Sequence, residues 1–179
     1  MLSSPYRALL QDRFGELSPA LREFHGDFAI WSGKAIFDVW RKPGLVPGIL
    51  AWFGGLPPPG QAVELNLRIE RTETGEWWHR DFAGHKLPSF QWAGPGLLYE
   101  RFGGICLAQK LEVKEGALEL RVVRAWNLGI PLPSFAAPSG LGIETQQGES
   151  IGVCARAFFP ILGELVRYEG LLTPEKIIT

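Results

Sequence analysis

Cysteine is scarce in this 179-residue chain: Cys106 and Cys154 stand far apart, and no Cys-x-x-Cys pair occurs. That excludes a disulfide framework and fits two isolated thiols in a reducing compartment. An excess of either charge is also missing. Eighteen Lys plus Arg meet 19 Asp plus Glu, for a formal net charge of −1. This balance argues against a nucleic-acid binder, which carries a basic face or tail, and against a polybasic membrane anchor. Residues 1–16 hold Arg7, Asp12, Arg13 and Glu16 with no apolar run after them. A signal peptide is therefore not expected, and the expected localisation is cytoplasmic. Dinucleotide-binding, Walker, nucleophile-elbow and His-Glu-x-x-His motifs are all absent, so no cofactor is expected. His25, His79 and His85 lack a second Cys/His cluster to join, so no metal site is expected either.

Rings, by contrast, are plentiful. The chain is 46% hydrophobic and carries seven Trp, with 22 Gly and 14 Pro. It is long enough to bury roughly 70% of its unfolded surface and needs no covalent staple. Residues 5–24 read as one or two short helices. Pro5 and Pro19 occupy first-turn positions, Ser4 and Ser18 precede them as N-caps, and Leu17, Leu21 and Phe24 form an apolar stripe.

After Gly26 the period becomes two. Val63, Leu65, Leu67 and Ile69 face one way, and Glu64, Asn66, Arg68 and Glu70 the other; Thr72–Gly75 turns, and Glu76–Phe82 returns. A second hairpin runs from Lys110 to Val122 through Glu115-Gly116. The looser alternation of Trp31–Trp40 predicts a strand buried on both faces. Shorter strands are expected near 86–92, 97–108, 151–159 and 164–172. The expected architecture is one α+β domain over 1–179. A helical segment (5–26) packs on a curved antiparallel β-sheet or partly closed β-barrel (27–172), calycin-like or helix-grip-like, and 173–179 forms a tail.

Two stretches, 43–63 and 125–143, carry no charge. Their prolines and glycines rule out a transmembrane segment, since irregular backbone is not tolerated against lipid. They read either as packed covering loops or as a portal over an apolar cavity, with Val46–Phe53 forming two helical turns that bring Trp52 and Phe53 to its mouth. Strand parity sets charge among apolar neighbours. Trp78, Arg80 and Phe82 share a face, as do Leu98, Glu100 and Phe102, and Leu118, Leu120, Val122, Arg124 and Trp126. Arg80, Glu100 and Arg124 therefore either pair in a structural network or anchor the polar end of a ligand. Trp31, Glu144 and Tyr168 complete the candidate ligand-binding set.

Several segments carry a resemblance: Leu-Ser-Pro-Ala-Leu-Arg-Glu-Phe-His-Gly (17–26), Gly-Leu-Pro-Pro-Pro-Gly (55–60), Trp-His-Arg-Asp-Phe-Ala-Gly (78–84), Tyr-Glu-Arg-Phe-Gly (99–103), Gly-Ile-Pro-Leu-Pro (129–133) and Phe-Pro-Ile-Leu-Gly-Glu-Leu-Val-Arg-Tyr-Glu-Gly (159–170). From about residue 15 on, the chain resembles the bacterial domain of unknown function 4166 family, often fused to or found beside saccharopine-dehydrogenase-like proteins. The resemblance implies that His25, Arg80, Glu100 and Glu144 fall in signature segments and that a reductase is a possible partner; it implies no reaction.

Three functions follow as expectations. The first is a binding module for an apolar or amphipathic small molecule in an aromatic-lined β cavity. The second is a cofactor-independent isomerase, cyclase or hydrolase, with Arg80 steadying negative charge and Glu100 or His25 moving protons. It fails if Arg80 and Glu100 pair in a dry core. The third is an interaction domain for a reductase partner.

Overall fold

A computed structural model describes residues 3–53 and 55–178. The chain opens with α1 (Pro5–Leu10), a six-residue 3-10 helix (Gln11–Glu16) and α2 (Pro19–Phe24). Both helices start on a proline, whose fixed φ suits the first turn and whose missing N–H costs nothing there. Ser4 caps α1, its Oγ accepting from the N–H groups of Tyr6 and Arg7. Ser18 precedes α2 but its hydroxyl makes no cap bond.

The strands are β1 (Ile30–Arg41), β2 (Gly60–Arg71), β3 (Glu76–Phe82), β4 (His85–Ala93), β5 (Leu98–Phe102), β6 (Ile105–Lys114), β7 (Ala117–Asn127), β8 (Ile130–Pro131), β9 (Ser139–Gln147), β10 (Ser150–Phe159) and β11 (Gly163–Ile178). Helix α3 (Leu45–Phe53) lies between β1 and β2. β1 through β6 pair in succession, β6 pairs β7, β7 pairs β9, and β9–β10–β11 returns to β1. Among the described residues ten antiparallel strands thus close a barrel, with the two-residue β8 flanking β7. Closure removes the sheet edges that would otherwise invite pairing with another chain.

Inward faces are mainly apolar, and the outward face of β2 is polar. In β2, Leu65, Leu67 and Ile69 are buried while Glu64, Asn66 and Arg68 are exposed. This is the reverse of a membrane-spanning barrel, whose lipid-facing band is the apolar one. Among the described residues no helix is long and apolar enough to cross a membrane.

Three expectations change. β1 is buried on one face only: Trp31, Ala35, Phe37 and Val39 point in, while Ile36 and Trp40 point out and are exposed. The segment 97–108 is two strands, because Gly103 turns at φ +53° and Gly104 continues the turn into β6. β11 continues to Ile178, so residues 173–178 pair with the start of β1. The barrel itself is closed, as its strand order shows.

The two barrel ends differ. At one end the N-terminal helices form a plug. Phe24 packs edge-on against Trp31 (ring centroids 4.8 Å) and Trp78 (5.6 Å). The buried Arg71 ties the plug down, donating to the Gly26 carbonyl at 2.7 Å and to Glu76 at 2.9 Å while lying over the Phe28 ring. At the other end the hairpin turns and α3 surround an opening.

Candidate functional site

The barrel encloses a cavity of about 800 Å³. Its floor is Tyr6 and Phe24 of the plug, and its walls carry Phe37, Leu67, Phe82 and Leu120 from the strands. Around the opening, Leu50 and Leu56 come from one uncharged stretch, and Leu132, Ala136 and Pro138 from the other. Both uncharged stretches thus line the cavity, one through α3 and the other through the loop after β7.

A polar cluster interrupts the apolar wall on β3–β6. Arg80 donates to Ser89 Oγ at 2.8 Å and to Glu100 at 3.1 Å. Ser89 Oγ donates to the same Glu100 oxygen at 2.7 Å, and Gln109 Nε2 donates to the other at 3.0 Å. The Arg80 guanidinium also lies over the Trp78 ring, 4.7 Å from its centroid. Four strands supply these groups because each sits at an inward parity position: Arg80 opposite Leu87, and Glu100 opposite Gln91 and Leu107. The buried charges are paired, as a low-dielectric interior requires. Arg80 and Glu100 nevertheless both line the cavity, with Gln91 and Gln109 beside them.

A second polar pair stands at the plug end of the chamber. Glu144 of β9 lines the cavity, and its Oε2 lies 2.5 Å from Nε2 of His25. His25 is 1% exposed, follows α2, and lies tilted against the Tyr6 ring, centroids 3.8 Å apart; its Nδ1 is buried without a partner. Tyr6 donates its hydroxyl to Gln91 Oε1 at 2.8 Å. Burial, with the carboxylates of Glu144, Glu76 and Glu100 adding to it, holds the Tyr6 phenol well above its ordinary range. Tyr168 of β11 also lines the cavity, between Phe37 and Phe82, and burial raises its phenol too.

Of the sequence-chosen residues, Trp78, Arg80, Glu100, Glu144 and Tyr168 meet at the cavity. Trp31 is wholly buried beneath it, packed against Phe24 in the plug. Trp52 and Phe53 fall at the end of α3, and their side chains lie outside the described residues. Arg124 and Trp126 do not reach the cavity. The β6–β7 register shifts where Ala108 pairs Arg124 but Gln109 pairs Val122, so Val123 is the extra residue of a bulge. Beyond it the parity of β7 inverts: Ala125 is buried, Asn127 lines the cavity, and Arg124 is exposed. Trp126 joins an outer aromatic ladder with Tyr99 (6.1 Å), which stacks on Trp92 (5.5 Å).

Sequence reasoning passed over Tyr6, Ser89, Gln91 and Gln109. Inward parity marks Ser89 and Gln91 beside Leu87 in β4 and Gln109 beside Leu107 in β6, but these side chains carry no charge to set them apart. Among the described residues no three His, Cys, Asp or Glu side chains gather as a metal-holding group. His85 bonds the Gly55 carbonyl at 2.8 Å, and His79 stacks on Trp77 outside the barrel.

A family model described as a domain of unknown function (DUF4166) matches residues 17–172. No curated protein and no solved structure matches the chain.

Proposed function

The chain belongs to the DUF4166 family, and we propose that it is a binding protein for one amphipathic small molecule held inside the barrel. The observation that carries this reading is the cavity itself. Its volume of about 800 Å³ falls within the 300–1,000 Å³ of small-molecule sites, and it joins apolar walls to a few convergent polar groups, as such sites do. The Arg80–Glu100 cluster lies on the plug side of Phe82 and Phe102, and the lining toward the opening is mainly apolar, broken by Asn127, Ser139 and the Glu164-paired Arg156. The ligand's polar end therefore enters first and its apolar body fills the space below α3.

The cluster also selects the polar end. Arg80 is already paired to Glu100, and Glu144 adds a second carboxylate to the wall. An anionic head would meet a spent cation and a further negative charge. Gln91 and Gln109, which line the cavity, offer neutral donors and acceptors, so a hydroxyl, carbonyl or amide is the preferred head. Titration of delipidated protein with dodecanol and with dodecanoate, followed by tryptophan fluorescence through Trp78, tests this. Saturable, tighter binding of the alcohol is expected. Tighter binding of the carboxylate would refute the head-group assignment, and saturable binding of neither would refute the chamber.

One observation favours a catalytic version of the same site. Glu144 faces the cavity with the buried His25 behind it, an arrangement in which the histidine could orient and relay protons for a carboxylate base. If the site turns its ligand over, His25→Gln should abolish turnover while leaving dodecanol affinity within about twofold; equal loss of both would assign His25 to binding alone.

A further inference from the structure

The open end of the barrel carries bulky apolar side chains that nothing in the fold requires there. Leu45 (80% exposed) and Val46 begin α3, Leu128 (79%) and Ile130 follow β7, Phe135 (72%) projects from the next loop, and Ile161 (fully exposed) tips the β10–β11 hairpin. They come from three separate segments and surround one opening. Two of them also occupy backbone that disfavours them. Leu128 sits at φ +49° and Ile161 at φ +70°, in the left-handed region where glycine or asparagine is at ease and a β-branched residue is an outlier. An exposed isoleucine in that conformation gains nothing from packing within the chain.

Charge near this end is sorted as well. The rim stretches 43–63 and 125–143 contain none. One step back from the rim stand Arg41, Lys42, Lys86, Arg101 and Arg124, the last three exposed. Of the acidic groups here, Glu164 is neutralised by a two-bond pair with Arg156, while Asp38 and Asp81 accept the Ala62 and Gly84 N–H groups and keep their charge, so the five basic residues still outnumber the unpaired acids. Glu64 faces outward on β2.

We propose that this rim docks on a lipid bilayer containing anionic lipid, inserting Leu128, Phe135 and Ile161 to the level of the headgroups with the basic residues behind them facing lipid phosphates. An apolar tip with basic flanks is how peripheral proteins meet a bilayer. A bilayer fits better than a protein partner, because the tips are separate projections around a hole and offer no flat or pocketed patch for a partner to pack on. The rim is continuous with the apolar wall of the cavity, so a docked barrel opens directly onto the lipid phase. A lipid leaving that phase presents its headgroup first, and the polar cluster lies at the far end of the chamber. The inference rests on the binding-chamber reading for its purpose but not for its test.

Vesicle co-sedimentation with the purified full chain decides it. The wild type should pellet with equimolar phosphatidylcholine–phosphatidylglycerol vesicles and bind pure phosphatidylcholine several-fold more weakly. The double variant Leu128→Asn, Ile161→Asn should lose about tenfold in partitioning. Its urea midpoint should be equal or higher, since asparagine accepts the left-handed backbone, so loss of binding is not loss of fold. Wild-type protein that stays in the supernatant with both vesicle types overturns the proposal. Equal pelleting of wild type and variant also overturns it. So does a wild type that ignores vesicles and self-associates in sedimentation velocity while the variant is monomeric, which would give the rim to a second copy. A protein that pellets with vesicles but never binds dodecanol keeps the docking and loses the chamber; the converse loses the docking alone.

Discussion

Arg80 reaches three neighbours at once: the Ser89 hydroxyl, the Glu100 carboxylate and the Trp78 ring. Removing only the cation leaves Glu100 buried with two neutral donors, and an uncompensated buried charge is costly. Arg80→Met should lower unfolding free energy by about 3 kcal/mol in urea titration, and adding Glu100→Gln should recover part of that loss. A cost below about 0.5 kcal/mol would mean that water in the cavity screens the pair as it screens a surface bridge. Tyr6 titrates in the opposite sense to a salt-bridged acid. Burial first, then nearby carboxylates, raise its folded pKa above the ordinary value. Folded and unfolded chains are both protonated below about pH 10, where the contribution is complete. As pH rises further the unfolded chain ionises first, binds fewer protons, and stability falls. Alkaline unfolding should therefore steepen above about pH 10, and Tyr6→Phe should show a shallower fall. It should also cost about 1 kcal/mol at neutral pH through the lost bond to Gln91.

Elements were legible where one face alone is apolar. β2 and β3, and β6 and β7, alternate cleanly and turn at Gly75 and at Glu115-Gly116, where both turn residues have positive φ. β1 misled because Ile36 and Trp40 put apolar residues on its solvent face, and periodicity reads composition, not direction. The break between β5 and β6 was hidden inside a continuous run of strand formers, with only Gly103-Gly104 to mark it. Arg124 and Trp126 were placed inward by a count that one extra residue, Val123, inverts; no composition signal marks that bulge. The polar cluster was half legible, since charge at inward parity revealed Arg80 and Glu100, whereas Ser89, Gln91 and Gln109 are ordinary residues until the register sets them together. The seam between β1 and β11 gives a sharp test at this scale. A Cβ at Gly170 would stand 2.1 Å from the Ile36 carbonyl oxygen. Gly170→Ala should part the longest strand pair and lower stability by roughly 2 kcal/mol or more. An unchanged urea midpoint would mean that the seam relaxes freely.

At the scale of the whole molecule, a closed barrel plugged at one end and open at the other is a vessel. Its rings serve three purposes: Trp31 and Phe24 seal the plug, Phe37, Phe82 and Trp78 line the chamber, and Trp92, Tyr99 and Trp126 brace the outer wall. Composition alone shows that many rings must be buried, and the register shows which of them line the chamber. The most direct measurement is the mass of freshly purified chain under native conditions, compared with its mass after denaturation and organic extraction. The account predicts one small amphipathic molecule per chain, released on unfolding and retained less well by an Ala155→Trp variant whose new ring narrows the cavity. Native and denatured masses that agree, in a protein that also takes up no added dodecanol, would contradict it.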